Sequence, residues 1–149
     1  MLERGYTDVS ATLLQRIAGV FKLTAADILP DTSRAEFLKV VRHQEAPATV
    51  VLAEGVRAEI LFAGIAHMIQ PVLLTLAVGS SQRNDTGHAG EEFVYVLAGE
   101  VRLKVHDAPA RTLRSGDSAY YLSALPHSLS NVGPDQARVL TLSTPPRLV

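Results

Sequence analysis

The sequence predicts a mainly β fold, a sandwich or barrel, preceded by short N-terminal α-helices. Three observations carry this prediction. Helical periodicity is confined to the first thirty residues. The last hundred alternate short apolar runs with turns that bear glycine and proline. No apolar run approaches the ~18–20 residues needed to span a membrane.

The helical part comes first. In "SATLLQRIAGVF", Leu13, Leu14, Ile17, Ala18 and Phe21 fall on one face, and Ser10 stands where an N-cap belongs. In "TAADIL", Thr24 can cap, Asp27 follows three residues later, and Pro30 ends the helix. Residues 31–47 read as a connector. From about Thr49 the runs are "TVVLA", "AEILFAG", "IQPVLLTLAV", "EFVYVLA", "VRLKVH", "SAYYL" and "ARVLTLS". Gly55, Gly64, the loop "GSSQRNDTG", "DAPA", "RSGD" and "NVGPDQ" separate them. The chain therefore divides into helices over 1–30, a connector over 31–47 and a β domain over 48–149.

Composition excludes several functions. Fourteen basic residues against fifteen acidic ones leave a net charge of −1, too balanced for non-specific attraction to nucleic acid or an anionic membrane. The chain has no cysteine, so disulfides, thiolate nucleophiles and zinc-finger sites are ruled out. The start "MLERGYTDVS" is not a secretory signal, and the expected location is the cytoplasm. There is no phosphate-cradling glycine loop and no Gly-x-Ser-x-Gly elbow.

The chemistry concentrates in "TGHAGEEFVYVLAGEV", residues 86–101. Read as a strand, it puts His88, Gly90, Glu92, Val94 and Val96 on one face. Some forty residues on, "LPHSLSN" carries His127 and Asn131 at the same i, i+4 separation. Strands crossing in a barrel would bring His88, Glu92 and His127 together. Two imidazoles and a carboxylate suit one divalent transition metal (Fe(II), Mn, Ni or Zn) with positions left open for ligand. The same residues also fit a metal-free polar pocket or solvated surface groups. His43 falls in the connector, while His67 and His106 lie at no ligand spacing. Tyr120 and Tyr121 alternate faces, so one of them faces the barrel. Phe93, Tyr95 and Leu97 form an apolar row facing away from Glu92, which predicts burial against another sheet or a second subunit.

Residues 48–146 resemble the cupin superfamily of small jelly-roll β-barrels. The first cupin motif reads G-x5-H-x-H-x3,4-E-x6-G, and His88, Glu92 and Gly99 match its second histidine, its glutamate and its last glycine. The second reads G-x5-P-x-G-x2-H-x3-N, and Gly116, His127 and Asn131 fall in register with it. Thr86 stands where the family places its first histidine, and Leu122 and Ala124 replace the proline and middle glycine of the second motif. The resemblance implies a metal on His88, Glu92 and His127, with Thr86, Asn131 and Tyr120 contributing to ligand binding and a small molecule held inside the barrel. It also implies a homodimer.

The N-terminal segment resembles the latter part of a Cro/repressor-type helix-turn-helix domain. Glu3, Arg4 and Gly5, then Ser10, Leu14, Arg16, Ile17 and Ala18, then Ala26, Ile28 and Leu29 carry that likeness. The recognition helix, which would read the major groove, is not among these residues, so DNA binding is expected only of a longer form. Together the two resemblances imply the ligand-sensing and dimerisation part of a helix-turn-helix regulator, with residues 1–30 as the remnant of its DNA-binding domain. The second expectation is a mononuclear metal-dependent enzyme of the oxygenase, epoxidase or isomerase class, using His88, Glu92 and His127. A barrel that binds ligand without metal is the third.

Overall fold

A computed structural model describes residues 38–45, 48–62 and 68–146. The helices expected within residues 1–30, the greater part of the connector, and His67 lie outside the described residues. The chain divides into two compact units, and the described strands belong to the larger, Val40–Ala63 with His67–Val149.

Among the described residues a short 3-10 turn at His43–Glu45 precedes ten strands. They are β1 (Ala48–Ala53), β2 (Val56–Ile60), β3 (Gln70–Leu76), β4 (Ser81–Asn84), β5 (Glu91–Ala98), β6 (Glu100–Val105), β7 (Arg111–Arg114), β8 (Ser118–Leu122), β9 (His127–Asn131) and β10 (Ala137–Thr144). One sheet has the order β1-β2-β3-β10-β5-β8, and the other β4-β9-β6-β7. Every pairing is antiparallel. Among the described residues no helix is long and apolar enough to cross a membrane.

The inward positions of both sheets make one core: Val56, Ala58, Val72, Leu74, Leu76, Val94, Val96, Val101, Leu103, Leu129, Ala137 and Val139. Each buried valine or leucine there contributes about 1.5–3 kcal/mol through removal from water. The β5 run "EFVYVLA" illustrates how sequence directs this. Val94 and Val96 are at most 1% exposed, while Tyr95 and Leu97 between and beyond them are 37% and 44% exposed. That is the two-residue period of a strand with one covered face.

Two strands depart from the sequence reading. "SQRN", inside what reads as a loop, is β4, and β7 likewise runs through a segment without a strand-like apolar pattern. Polar β4 is ordered by its partner: Ser81 to Asn84 pair with Ser130 to His127, and the hydroxyls of Ser81 and Ser130 are 2.9 Å apart. Tertiary pairing outweighs the weak strand propensity of Ser, Gln and Asn at this sheet edge.

Asn131 pins the closed end of the fold. Only 3% exposed, it donates from Nδ2 to the carbonyls of Leu76 (3.0 Å) and Asp135 (2.8 Å), and its Oδ1 accepts from the Gly133 amide (2.9 Å). Asn131→Ala is expected to lower stability by about 2–4 kcal/mol, because it strips buried backbone groups of their partners. Urea titration followed by circular dichroism checks this.

Candidate metal centre

Cross-strand register orders the barrel interior in layers. Val56, Leu76 and Ala137 close one end; Leu74 lies opposite both Ala58 and Val139, and Val139 opposite Val96. The next layer is Val72, Thr141, Val94 and Ala119. Above it runs a polar layer on four adjacent strands: Gln70, Ser143, Glu92 and Tyr121. A cavity of about 410 Å³ opens against these upper layers, with Glu92 and Tyr121 in its wall.

His88 does not reach this layer by strand alternation. It precedes β5, which starts at Glu91, in a turn where the His88 amide donates to the Ser123 carbonyl at 2.7 Å. The turn folds the imidazole back, so that His88 Nε2 lies 3.4 Å from Glu92 Oε1. His127, the first residue of β9, arrives from the opposite sheet, its Nε2 3.4 Å from Glu92 Oε2. The two rings meet edge to face, with centroids 5.3 Å apart.

These spacings suit a shared ion. Donors about 2.1 Å from a metal, at angles between 90° and 109°, stand roughly 3.0–3.4 Å apart. One ligand atom from each of His88, Glu92 and His127 lies within 4.8 Å of the others. The outer contacts favour the required tautomer. His127 Nδ1 is 2.8 Å from the Leu125 carbonyl, so it carries the proton and leaves the Nε2 lone pair facing Glu92. His88 Nδ1 lies 3.4 Å from the Ala89 carbonyl and tends the same way. All three side chains are at most 14% exposed.

Tyr121 is a member of this site that the sequence reading did not single out. Its hydroxyl donates a short hydrogen bond to Glu92 Oε2, and its ring packs on His127 with centroids 5.1 Å apart. Burial pushes this hydroxyl far above the usual tyrosine range, and the Glu92 charge adds to the effect. Tyr121 therefore stays a proton donor to the carboxylate. Tyr121→Phe is expected to weaken metal binding about tenfold, the lower end of the cost of losing an outer contact to a ligand. Competition against a chromophoric chelator measures it. A phenol held neutral by the fold also stabilises it below the ordinary value of 10.0, and that contribution is lost as the pH rises above it.

The other sequence candidates fall elsewhere. It is Tyr121, not Tyr120, that faces the interior. Tyr120 is 61% exposed on the outer face, where its hydroxyl donates to Glu91 and its pKa rises as a result. Thr86 is exposed, its hydroxyl turned to Asn84 Oδ1 and the Gly87 carbonyl at 3.4 and 3.3 Å. Asn131 is occupied by its bonds to the backbone of Leu76, Gly133 and Asp135. His43 is exposed, and His106 pairs with Asp107 at 3.2 Å away from the cavity.

Residues 72–143 match the family model of the Cupin domain. The chain contains a cupin domain. Among solved structures, its fold is similar to the cupin domain of an XRE-family transcriptional regulator from Enterobacter cloacae, at 24% identity over 62% of this chain and 99% of that one, with a TM-score of 0.56. It is also similar to hydroxypropylphosphonic acid epoxidase from S. wedmorenis, at 21% identity over 91% of this chain and 75% of that one, with a TM-score of 0.65. KdgF from Halomonas sp. is similar at 17% identity over 73% and 96%, with a TM-score of 0.60. At these identities the likeness shows the cupin fold. No curated protein matches the chain.

Proposed function

We propose that this cupin is a mononuclear metal-dependent enzyme acting on a small molecule in the barrel. The observation that carries the reading is the convergence of His88, Glu92 and His127, with Glu92 itself in the wall of a 410 Å³ cavity. A ferrous ion held by two imidazoles and one carboxylate would supply dioxygen chemistry, with positions left open for substrate. Around it each residue has a task. The Leu125 carbonyl orients His127, Tyr121 fixes the Glu92 carboxylate, and the layer of Val72, Val94 and Leu129 makes an apolar wall for the substrate. The choice of iron follows HppE, a similarly folded protein solved in an Fe(II) form, at 20% identity and a TM-score of 0.65. The choice of class follows the epoxidase from S. wedmorenis; the likeness itself carries the fold. Metal analysis of protein purified without added chelator tests it. About one iron per chain is expected, and protein that neither carries nor takes up iron would sink the proposal.

The second reading is the ligand-sensing part of a helix-turn-helix regulator. It is favoured by the helix-turn-helix-like residues within 1–30 and by the regulator cupin domain that the barrel resembles. A gel shift with a form carrying the complete helix-turn-helix domain separates the two. Sequence-selective retardation supports the regulator.

Both readings are compatible with a homodimer, which we place on the outer face of β5 and β8. Tyr95, Leu97, Tyr120 and Leu122 expose large apolar surface there, with Phe93 paired between Tyr120 and Leu142. Sedimentation at micromolar concentration is expected to show a dimer, and Leu97→Lys with Tyr120→Lys a monomer.

A further inference from the structure

The polar layer beside the metal ligands extends past what the metal needs. Ser143 on β10 lies directly opposite Glu92, and Gln70 on β3 lies opposite Ser143; both face inward and are 7% exposed. Two layers further along β10 and beyond, the inward positions are the apolar Val139 and Ala137, so the buried Ser143 hydroxyl here requires a reason. Ser143 lines the cavity, and its hydroxyl makes no hydrogen bond among the described residues. Thr141, one layer down on the same strand, adds a second hydroxyl to the wall, which donates a long bond to the Val72 carbonyl at 3.4 Å.

The charge of the cavity narrows what these groups meet. Its described lining holds one carboxylate, Glu92, and one cation, Arg83, whose charge is met by Asp85 at 3.2 Å on the exposed rim. A divalent ion on Glu92 more than cancels that carboxylate, leaving the space net positive. Below the polar layer the wall is Ala58, Val72, Leu74, Val94 and Leu129, which is apolar and aliphatic. A positive, hydrogen-bonding upper wall over an aliphatic floor matches a small anion with a short hydrocarbon tail.

We propose that Ser143, with Gln70 and Thr141 beside it, binds the oxyanion head of a small aliphatic acid next to the metal site, the tail lying on the Leu74 and Val94 floor. The inference rests on the metal reading of the site. It assigns Ser143 to ligand, where nothing in the sequence motifs places a binding residue.

The probes are straight-chain carboxylates of two to six carbons and their primary amides, titrated into Co(II)-loaded protein. Cobalt absorption and calorimetry are the readouts. The expected result is saturable binding of the acids, tightening about fourfold per methylene as apolar surface is buried. The amides bind at least about tenfold more weakly, because they carry no charge. Ser143→Ala weakens acid binding roughly tenfold or more, the loss of a hydrogen bond to a charged group. Its Co(II) isotherm is recorded alongside, so that a lost ligand contact is distinguished from lost metal. Acids that bind Ser143→Ala as tightly as the parent overturn the inference, as does indifference to chain length or to charge. Co(II) uptake with no response to any acid overturns it while leaving the metal reading intact. Failure of the parent protein to bind Co(II) overturns both.

Discussion

His127→Ala is expected to abolish stoichiometric metal binding. In anaerobic calorimetry the affinity for Fe(II) or Co(II) should fall by more than about 100-fold, since loss of an outer contact alone costs 10–100-fold and this change removes a ligand. The geometry explains why no described neighbour can substitute. Among the described residues His127 is the sole contribution of the β4-β9-β6-β7 sheet to the cluster, and its Nε2 sits 3.4 Å from Glu92 Oε2. Asn131, four residues on, has its amide bound to Leu76 and Asp135. Thr86, which holds the place of the family's first histidine, turns its hydroxyl to Asn84 and Gly87. With His127 gone, His88 and Glu92 would remain as a two-donor site, short of the three protein ligands usual at an open catalytic metal centre. Retained stoichiometric metal in His127→Ala would place the ion elsewhere and remove the basis of the enzyme reading.

The geometry also bears on the balance between the two functional readings. From the sequence, the helix-turn-helix-like residues within 1–30 favour a regulator, and those residues are outside the described part of the chain. The described part holds a site with tautomers set, a carboxylate held by Tyr121, and an adjoining cavity. A sensor needs only the cavity. Tyr121 and the Leu125 carbonyl have a clearer purpose if Glu92 and His127 hold a metal.

Much of this is legible in the sequence, for physical reasons that also mark its limits. The alternation in "EFVYVLA" reports a strand with one buried face, so β5 and its inward Val94 and Val96 can be read directly. His88, Glu92 and His127 stand out because they fall in register with the two cupin motifs; their spacing alone fits a metal-free polar pocket as well. β4 does not, because "SQRN" has no pattern of its own and is ordered only by β9. The choice between Tyr120 and Tyr121 is equally closed to sequence. In "SAYYL" one tyrosine must face each way, and only the register Glu92 to Tyr121 decides which. The route of His88 differs from the sequence reading for a related reason. Simple alternation assumes a strand from residue 88 onward, whereas the chain turns until Glu91.

That turn is the basis of the second large effect, expected of Gly90→Ala. Gly90 has φ of +111°, a region L side chains rarely adopt, and it is wedged against the end of β10. A Cβ there would overlap the Thr144 carbonyl oxygen and stand 2.7 Å from Pro145 Cδ. Both neighbours are backbone or ring atoms that cannot rotate away, and the Gly90 carbonyl is also tied to the Ser123 amide at 3.1 Å. The chain must therefore shift, at a cost of about 3 kcal/mol or more. For a domain of this size that lowers the melting temperature by roughly 6–12 °C. Gly79→Ala is the matched control. Its φ of +73° is similarly left-handed, but nothing lies within 4 Å of the added carbon, so it should cost only about 1–2 kcal/mol. The contrast has a functional arm, because Gly90 lies between the two candidate ligands His88 and Glu92. A backbone shift of even about 1 Å there takes the His88 Nε2 to Glu92 Oε1 spacing out of the range that one ion bridges. Gly90→Ala should thus lose metal affinity below its melting transition, whereas Gly79→Ala should retain it. Equal metal affinity in the two variants, measured on folded protein, would show that the 87–90 turn does not position His88.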